Sequence, residues 1–320
     1  QAIARKLKSD NGLEYDPESE IMVTVGASEA VFLAAAAFLN PGDELLVPDL
    51  GWVNYYSVPG IVGARLATFR VREEAAFRPE AAAVVSAVTP WTRLIVLCSP
   101  GNPTGAVLQP QELDGIARVA QEHDLLVVAD EIYEKLVYDG ARHISIATLP
   151  GMRQRTLVIN GFSKAYSMTG WRLGYVAAPK ELMSAMVRVH QNLTTCAVSF
   201  AQAGAVAALE GPQDCVAAMV AEFQRRRDML VGALNKMPGI TCTMPEGAFY
   251  VFPNVRAFGM PSDDLALYLL REAHIAVVPG PSFGPGGKGY LRISYPNSYD
   301  QIQEGMQRMA TALKRLPRGQ

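Results

Sequence analysis

The chain has 320 residues, 49% of them hydrophobic and 19% charged, with a net charge of −2 at pH 7. That is enough apolar material for a sizeable core and too little charge for disorder, and the near-neutral balance argues against a nucleic-acid partner. The four cysteines (Cys98, Cys196, Cys215, Cys242) and four histidines are scattered without a disulfide or metal spacing, which fits a reducing, cytoplasmic compartment, and no apolar run reaches the ~18 residues of a membrane span.

The chain opens on a helix over 2–9. Short apolar strands then alternate with helical patterns. Strands are predicted at 21–25, 44–48, 65–69, 94–98, 125–129, 156–159 and 173–177. Helices are predicted at 28–39, 80–87, 111–122 and 180–191. Apolar strands flanked by helices predict an α/β fold, a mostly parallel sheet covered on both faces. One long helix over 214–237, stopped by Pro238-Gly239, leads to a second lobe. There, strands are predicted at 241–244, 248–252, 276–278 and 290–294, and helices at 262–274 and 298–316.

The most informative stretch is Gly161-Phe162-Ser163-Lys164, followed eight residues later by Arg172 in Gly170-Trp171-Arg172. An amine that condenses with an aldehyde needs a fixed backbone and a lowered pKa. A nearby guanidinium supplies positive charge and can clamp a phosphate. The pairing suits pyridoxal 5'-phosphate (PLP), an aldehyde that carries a phosphate. Taken alone, the stretch also fits a surface lysine beside a core tryptophan.

Four other segments can serve the same cofactor. Gly26-Ala27-Ser28 stands between a strand and a helix, where free amides bind phosphate; an ordinary N-cap has the same look. Trp52 follows strand 44–48, at the edge where open α/β sheets bind ligands, and can stack on a pyridine ring or simply pack a loop. Asn102, in the turn Ser99-Pro100-Gly101-Asn102-Pro103-Thr104-Gly105, can donate to a phenolate oxygen. Asp130, first off strand 125–129, can keep a pyridine nitrogen protonated, and Tyr133 can reach the phenolate oxygen; Glu131 reads as a structural charge. Gly284 to Gly289 contains G-x-G-x-x-G, but a strand follows it instead of a helix, which removes a dinucleotide reading.

The order Gly-Ala-Ser, Trp, Asn-Pro-Thr-Gly, Asp-x-x-Tyr, Ser-Lys, Gly-Trp-Arg is unbroken. It resembles the class I and II aminotransferases, the fold-type I PLP enzymes, over essentially the whole chain. The resemblance implies a three-layer α/β/α large domain over 1–230 and a smaller α/β C-terminal domain over 231–320. It implies that Lys164 forms the aldimine with PLP and moves the proton. Asp130 then pairs with the ring nitrogen, Asn102 and Tyr133 bind the phenolate oxygen, and Trp52 stacks on the ring. Gly26, Ala27, Ser28, Ser163 and Arg172 surround the phosphate. Arg292, in Gly289-Tyr290-Leu291-Arg292, clamps the substrate α-carboxylate, with Asn102 beside it.

The implied reaction moves an amino group from an L-amino acid of aspartate or aromatic type to a 2-oxo acid, 2-oxoglutarate by expectation, in a homodimer. The same residues would serve a carbon–sulfur β-lyase or a PLP-sensing regulator domain. Two departures stand out. The chain starts at Gln1, past the point where relatives carry an N-terminal arm and one side of the small domain, and is expected to be a fragment. Gly161 stands where some relatives place a phosphate-binding hydroxyl, a loss of about 1 kcal/mol.

Overall fold

The computed structural model describes residues 1–316. A seven-stranded sheet forms from β1 (Ile21–Thr24), β2 (Glu44–Pro48), β3 (Arg65–Phe69), β4 (Thr92–Cys98), β5 (Leu126–Asp130), β6 (Thr156–Gly161) and β7 (Gly174–Ala177). The strand order is β1-β7-β6-β5-β4-β2-β3. Only β7 runs against its neighbours, pairing antiparallel with both β1 and β6. The sheet is therefore mostly parallel, and its central strands are apolar on both faces, as expected where helices cover both sides.

Alternation along the strands sorts the core into layers. Leu45, Val47, Leu94, Val96, Leu157 and Ile159 face α2 (Gly26–Phe38), α3 (Val53–Ile61) and α6 (Lys180–Leu193). Leu46, Ile95, Leu97, Val127 and Ala129 face α4 (Ala81–Ala87) and α5 (Pro110–Glu122). On that second side, Val158, Tyr175 and Ala177 pack on α1 (Ala2–Asn11) and α7 (Ser199–Glu210). The three-layer α/β/α arrangement read from the sequence is present. Helix α5 starts where Pro110 occupies the first turn and Gln109 and Glu112 close a capping box.

The second lobe follows α8 (Asp214–Leu234). It holds α9 (Ser262–Ala273), α10 (Tyr299–Leu313) and an antiparallel sheet β8-β10-β9, from β8 (Tyr250–Val251), β9 (Val278–Pro279) and β10 (Leu291–Ser294). Its core takes in Phe223, Leu230 and Leu234 of α8 and reaches back to Ile132, Tyr133 and Leu136 behind β5. The sequence reading departs from the structure in three places. No strand forms over 241–244; Thr241 makes a single bridge to Asn254. Helices α3 and α7 were not expected, and α3 holds an internal Pro59. The last four residues of the expected C-terminal domain, 317–320, lie outside the described residues.

Strand direction positions the site. The carboxyl ends of the parallel strands β1, β2, β4, β5 and β6 lie along one sheet edge, and the reversed β7 begins there. Everything that follows those strand ends or precedes β7 converges on that edge. Gly174, the first residue of β7, makes the convergence tight: a Cβ there would lie 2.6 Å from the Ala27 amide nitrogen and 2.6 Å from the Gly26 carbonyl carbon. Gly174→Ala should therefore destabilise the protein by about 1–3 kcal/mol through backbone overpacking, read from the urea midpoint. An unchanged midpoint would show that β7 and α2 have slack between them.

Candidate active site

The sheet edge opens into a cavity of about 220 Å³. Its polar floor is Asp130, the last residue of β5, which is buried. Tyr55 of α3 donates its hydroxyl to Asp130 Oδ2 at 2.5 Å, and the Ile132 amide donates to Oδ1 at 3.3 Å. Burial pushes the Asp130 carboxyl up to about 6, and the Tyr55 hydrogen bond works in the opposite direction. Tyr55 is itself fully buried, because its ring fills the core under α3 while Trp52 meets it edge-on at 5.6 Å between centroids.

Lys164 enters from the turn after β6. Its Nζ lies 5.3 Å from the Phe249 ring centroid and 5.6 Å from that of Tyr133. Burial between these rings lowers its pKa, and the Arg292 charge lowers it further; Asp130 opposes them, and Arg172 adds to the lowering. A depressed ammonium pKa favours the free amine, the form that attacks a carbonyl.

Arg292 comes from β10 in the second lobe. Its guanidinium lies between the Tyr250 and Phe283 rings, 4.6 and 4.5 Å from their centroids, and Nη1 donates to Asn102 Oδ1 at 3.0 Å. Its Nε is buried without a partner. Because an arginine can only donate, Asn102 must present its oxygen to Arg292, which leaves its amide group free to donate elsewhere. Tyr133 Oη shares a 2.6 Å hydrogen bond with Tyr250 Oη. Burial first, and the Tyr250 hydroxyl second, hold the Tyr133 phenol well above its ordinary pKa, so it stays a donor.

On the opposite wall, Ala27 and Ser28 open the first turn of α2, whose amides have no intrahelical partner. Arg172 Nη1 bonds the Thr169 carbonyl at 2.9 Å. A Cβ on Gly26 (φ +78°) would lie 2.7 Å from Arg172 Nη2, so glycine lets the guanidinium reach this turn. Ser163 and Trp52 also line the cavity. The structure thus brings together every site residue expected from sequence, with Gly26 just behind the wall. The missing hydroxyl at Gly161 has a steric reason: a Cβ there would lie 2.8 Å from the Leu173 carbonyl oxygen and 2.9 Å from Gly174 Cα. The glycines of the 284–289 turn belong to packing, with the Gly286 amide donating to the Asp49 carbonyl at 3.1 Å.

Sequence reading missed Tyr55 and Tyr250. The only local signal was Tyr55 one helical turn after Trp52. It also missed a buried charge cluster behind Asp130. The ligand atoms of Glu131, Glu134 and His143 lie within 4.8 Å of one another. Lys6 of α1 pairs with Glu134, Asn11 donates to its other oxygen at 2.8 Å, and His143 Nε2 stands 3.1 Å from Glu131 Oε2. Burial alone would lower the His143 pKa; the two glutamates outweigh it and raise it. Lys6 beside Glu134 and His143 beside Glu131 pair each carboxylate with a basic side chain.

Residues 1–309 match the family of aminotransferase class I and II. The chain is 43% identical over 316 residues to an aspartate aminotransferase of Pyrococcus abyssi, covering 98% of this chain and 81% of that one. It is 42% identical to aromatic-amino-acid aminotransferase 2 of Thermococcus litoralis, again over 98% of this chain and 81% of the relative. The crystal structure of an aromatic aminotransferase from Pyrococcus horikoshii OT3 superposes with a TM-score of 0.96 at 44% identity, over 98% of this chain and 84% of that one. The chain belongs to this family. It is a PLP-dependent aminotransferase with the fold-type I architecture.

The residues present fit that cofactor by charge. Two guanidiniums, those of Arg172 and Arg292, and the Lys164 amine surround a single carboxylate, Asp130, in the same cavity. The two guanidiniums, held apart at opposite ends of the cavity, suit a phosphate at one end and a substrate carboxylate at the other. Tyr55 steadies the ionised form of Asp130 through its hydroxyl. In the cofactor-free protein, Tyr55→Phe removes a bond that favours ionised Asp130. The Asp130 midpoint should move up from about 6 by roughly one to two pH units, read from its carboxyl carbon chemical shift. A midpoint that stays or falls would show that the hydroxyl does not stabilise the carboxylate.

Proposed function

We propose that the enzyme transfers the amino group of an aspartate-type or aromatic L-amino acid to 2-oxoglutarate, with Lys164 as the residue bonded to the cofactor. The charge pattern of the cavity carries this reading: two separated cationic ends, Arg172 and Arg292, flank an amine over one buried carboxylate. The relatives named for aspartate and aromatic amino acids support the substrate class, and the Trp52, Tyr133 and Tyr250 rings give the cavity aromatic walls.

PLP supplies an aldehyde for exchange of the amino group and a ring that accepts electrons. Lys164 Nζ would be the group that holds the aldehyde, and its amine, when free, would be the base that takes the substrate Cα proton. Asp130 would keep the ring nitrogen protonated, Asn102 Nδ2 and Tyr133 Oη would donate to the phenolate oxygen, and Trp52 would pack against the ring. The first turn of α2, Ser28, Ser163 and Arg172 hold the phosphate. Arg292 clamps the α-carboxylate, its planar donors matching two oxygens. Residues 1–230 serve as the cofactor domain and 231–320 as the domain that brings Arg292.

The test is the visible absorption of the protein with PLP. Lys164→Ala should lose the band of the lysine-bound cofactor. Aspartate or phenylalanine should bleach the wild-type band, and 2-oxoglutarate should restore it. Pyruvate and thiol released from cystathionine, without amino-group exchange, would replace this reading with a β-lyase.

We also propose that the enzyme is a cytoplasmic homodimer. Among the described residues no helix is long and apolar enough to cross a membrane, and the four cysteines are free. Trp171, Leu193, Val198 and Phe200 expose large apolar side chains, with Phe200 74% exposed. Large apolar side chains left exposed in this way favour association with a second copy. Sedimentation should give the mass of two chains, shifted towards one by Phe200→Asp. A monomeric wild type would overturn this.

A further inference from the structure

Glu29 places a buried carboxylate beside an anion site. It sits in the first turn of α2, only 8% exposed, one residue beyond Ser28 on the cavity wall. A negative charge there works against a bound phosphate unless it has other partners.

Both of its oxygens are committed. Oε2 accepts the Val25 amide at 2.5 Å. Oε1 accepts the Thr194 hydroxyl at 2.5 Å and stands 2.9 Å from His190 Nδ1. A carboxylate only accepts, so His190 Nδ1 carries the hydrogen. His190, in the last turn of α6, is 6% exposed, and Thr194 caps that helix. One side chain therefore ties the end of α6 to the Val25-Gly26 turn. On the other side of that turn, the Arg172 guanidinium presses against Gly26.

We propose that Glu29 is a positioning residue for the cofactor phosphate, holding the Val25-Gly26 turn so that Ala27, Ser28 and Arg172 meet the phosphate, with His190 and Thr194 holding Glu29. This rests on reading those three residues as the phosphate site. Glu29 touches neither ring nor substrate, so its effect is confined to ligands that carry the phosphate.

Pyridoxal, which has the same ring and aldehyde and no phosphate, separates that effect from general damage. Titration of cofactor-free protein should show Glu29→Ala weakening PLP about tenfold and pyridoxal less than about twofold. Glu29→Gln keeps a carbonyl oxygen for the Val25 amide and should recover most of the loss. Thr194→Val, which removes one donor, should weaken PLP about threefold in the same selective way. If Glu29→Ala does not fold, Thr194→Val decides: an unchanged ratio of PLP to pyridoxal affinity overturns the proposal. Equal weakening of both ligands by Glu29→Ala, or of neither, overturns it as well. Arg172→Ala is measured alongside. If it erases the advantage of PLP over pyridoxal and Glu29→Ala does not, the positioning role falls and the phosphate site stands. If neither changes that advantage, the reading of the phosphate site falls.

Discussion

The molecule is organised around a carboxylate that burial disfavours. Asp130 ends a central strand with almost no access to water, and burial lifts its carboxyl to about 6. A buried charge of this kind persists only where the surroundings supply hydrogen bonds or a cation. Tyr55 and the Ile132 amide supply part of this, and the pyridinium of the cofactor is suited to supply the rest. The strand carrying Asp130, the helix carrying Tyr55 and the turn carrying Lys164 must therefore hold their relative positions, which a sheet with both faces packed secures.

What could be read from the sequence follows from the same geometry. Lys164, Asp130, Asn102 and Trp52 were legible because each follows an apolar strand closely, and parallel strands bring such positions to one edge. Tyr55 and Tyr250 were not, because their partners Asp130 and Tyr133 lie 75 and 117 positions away in the chain. The cluster of Lys6, Glu134, Glu131 and His143 was hidden for the same reason; Glu131 read as a structural charge, but its partners could not be named. Helix α7 escaped notice because Ser199–Glu210 is small and apolar nearly all round, without an amphipathic stripe. Helix α3 was masked by Pro59, which argues locally against a helix. The strand at 241–244 had a strand-like composition but only one bridging partner, a tertiary outcome that local pattern does not encode.

Two walls of the cavity come from different lobes. Arg292 reaches it from the antiparallel sheet of the second lobe, yet its Nη1 bonds Asn102 of the first. The second lobe is further secured by aromatic contacts that cross back to the segment after β5, where Tyr133 and Tyr250 share a hydrogen bond. Glycine at 26, 161 and 174 lets three backbone segments approach more closely than any side chain would permit. The positive heads are thus fixed on separate elements around a narrow volume, and their spacing is a property of the backbone.

Helix α1 lies far from the reacting groups in the chain, yet it supplies Lys6, the partner of the buried Glu134. Loss of that helix, by proteolytic nicking or by trimming of the polypeptide, would strand the Glu134 charge in an apolar interior, at a cost of about 3–5 kcal/mol. The damage would spread along the short turn from Glu134 to Tyr133 and Asp130. Resistance of the first dozen residues to limited digestion is therefore a reporter of catalytic geometry some 120 positions downstream.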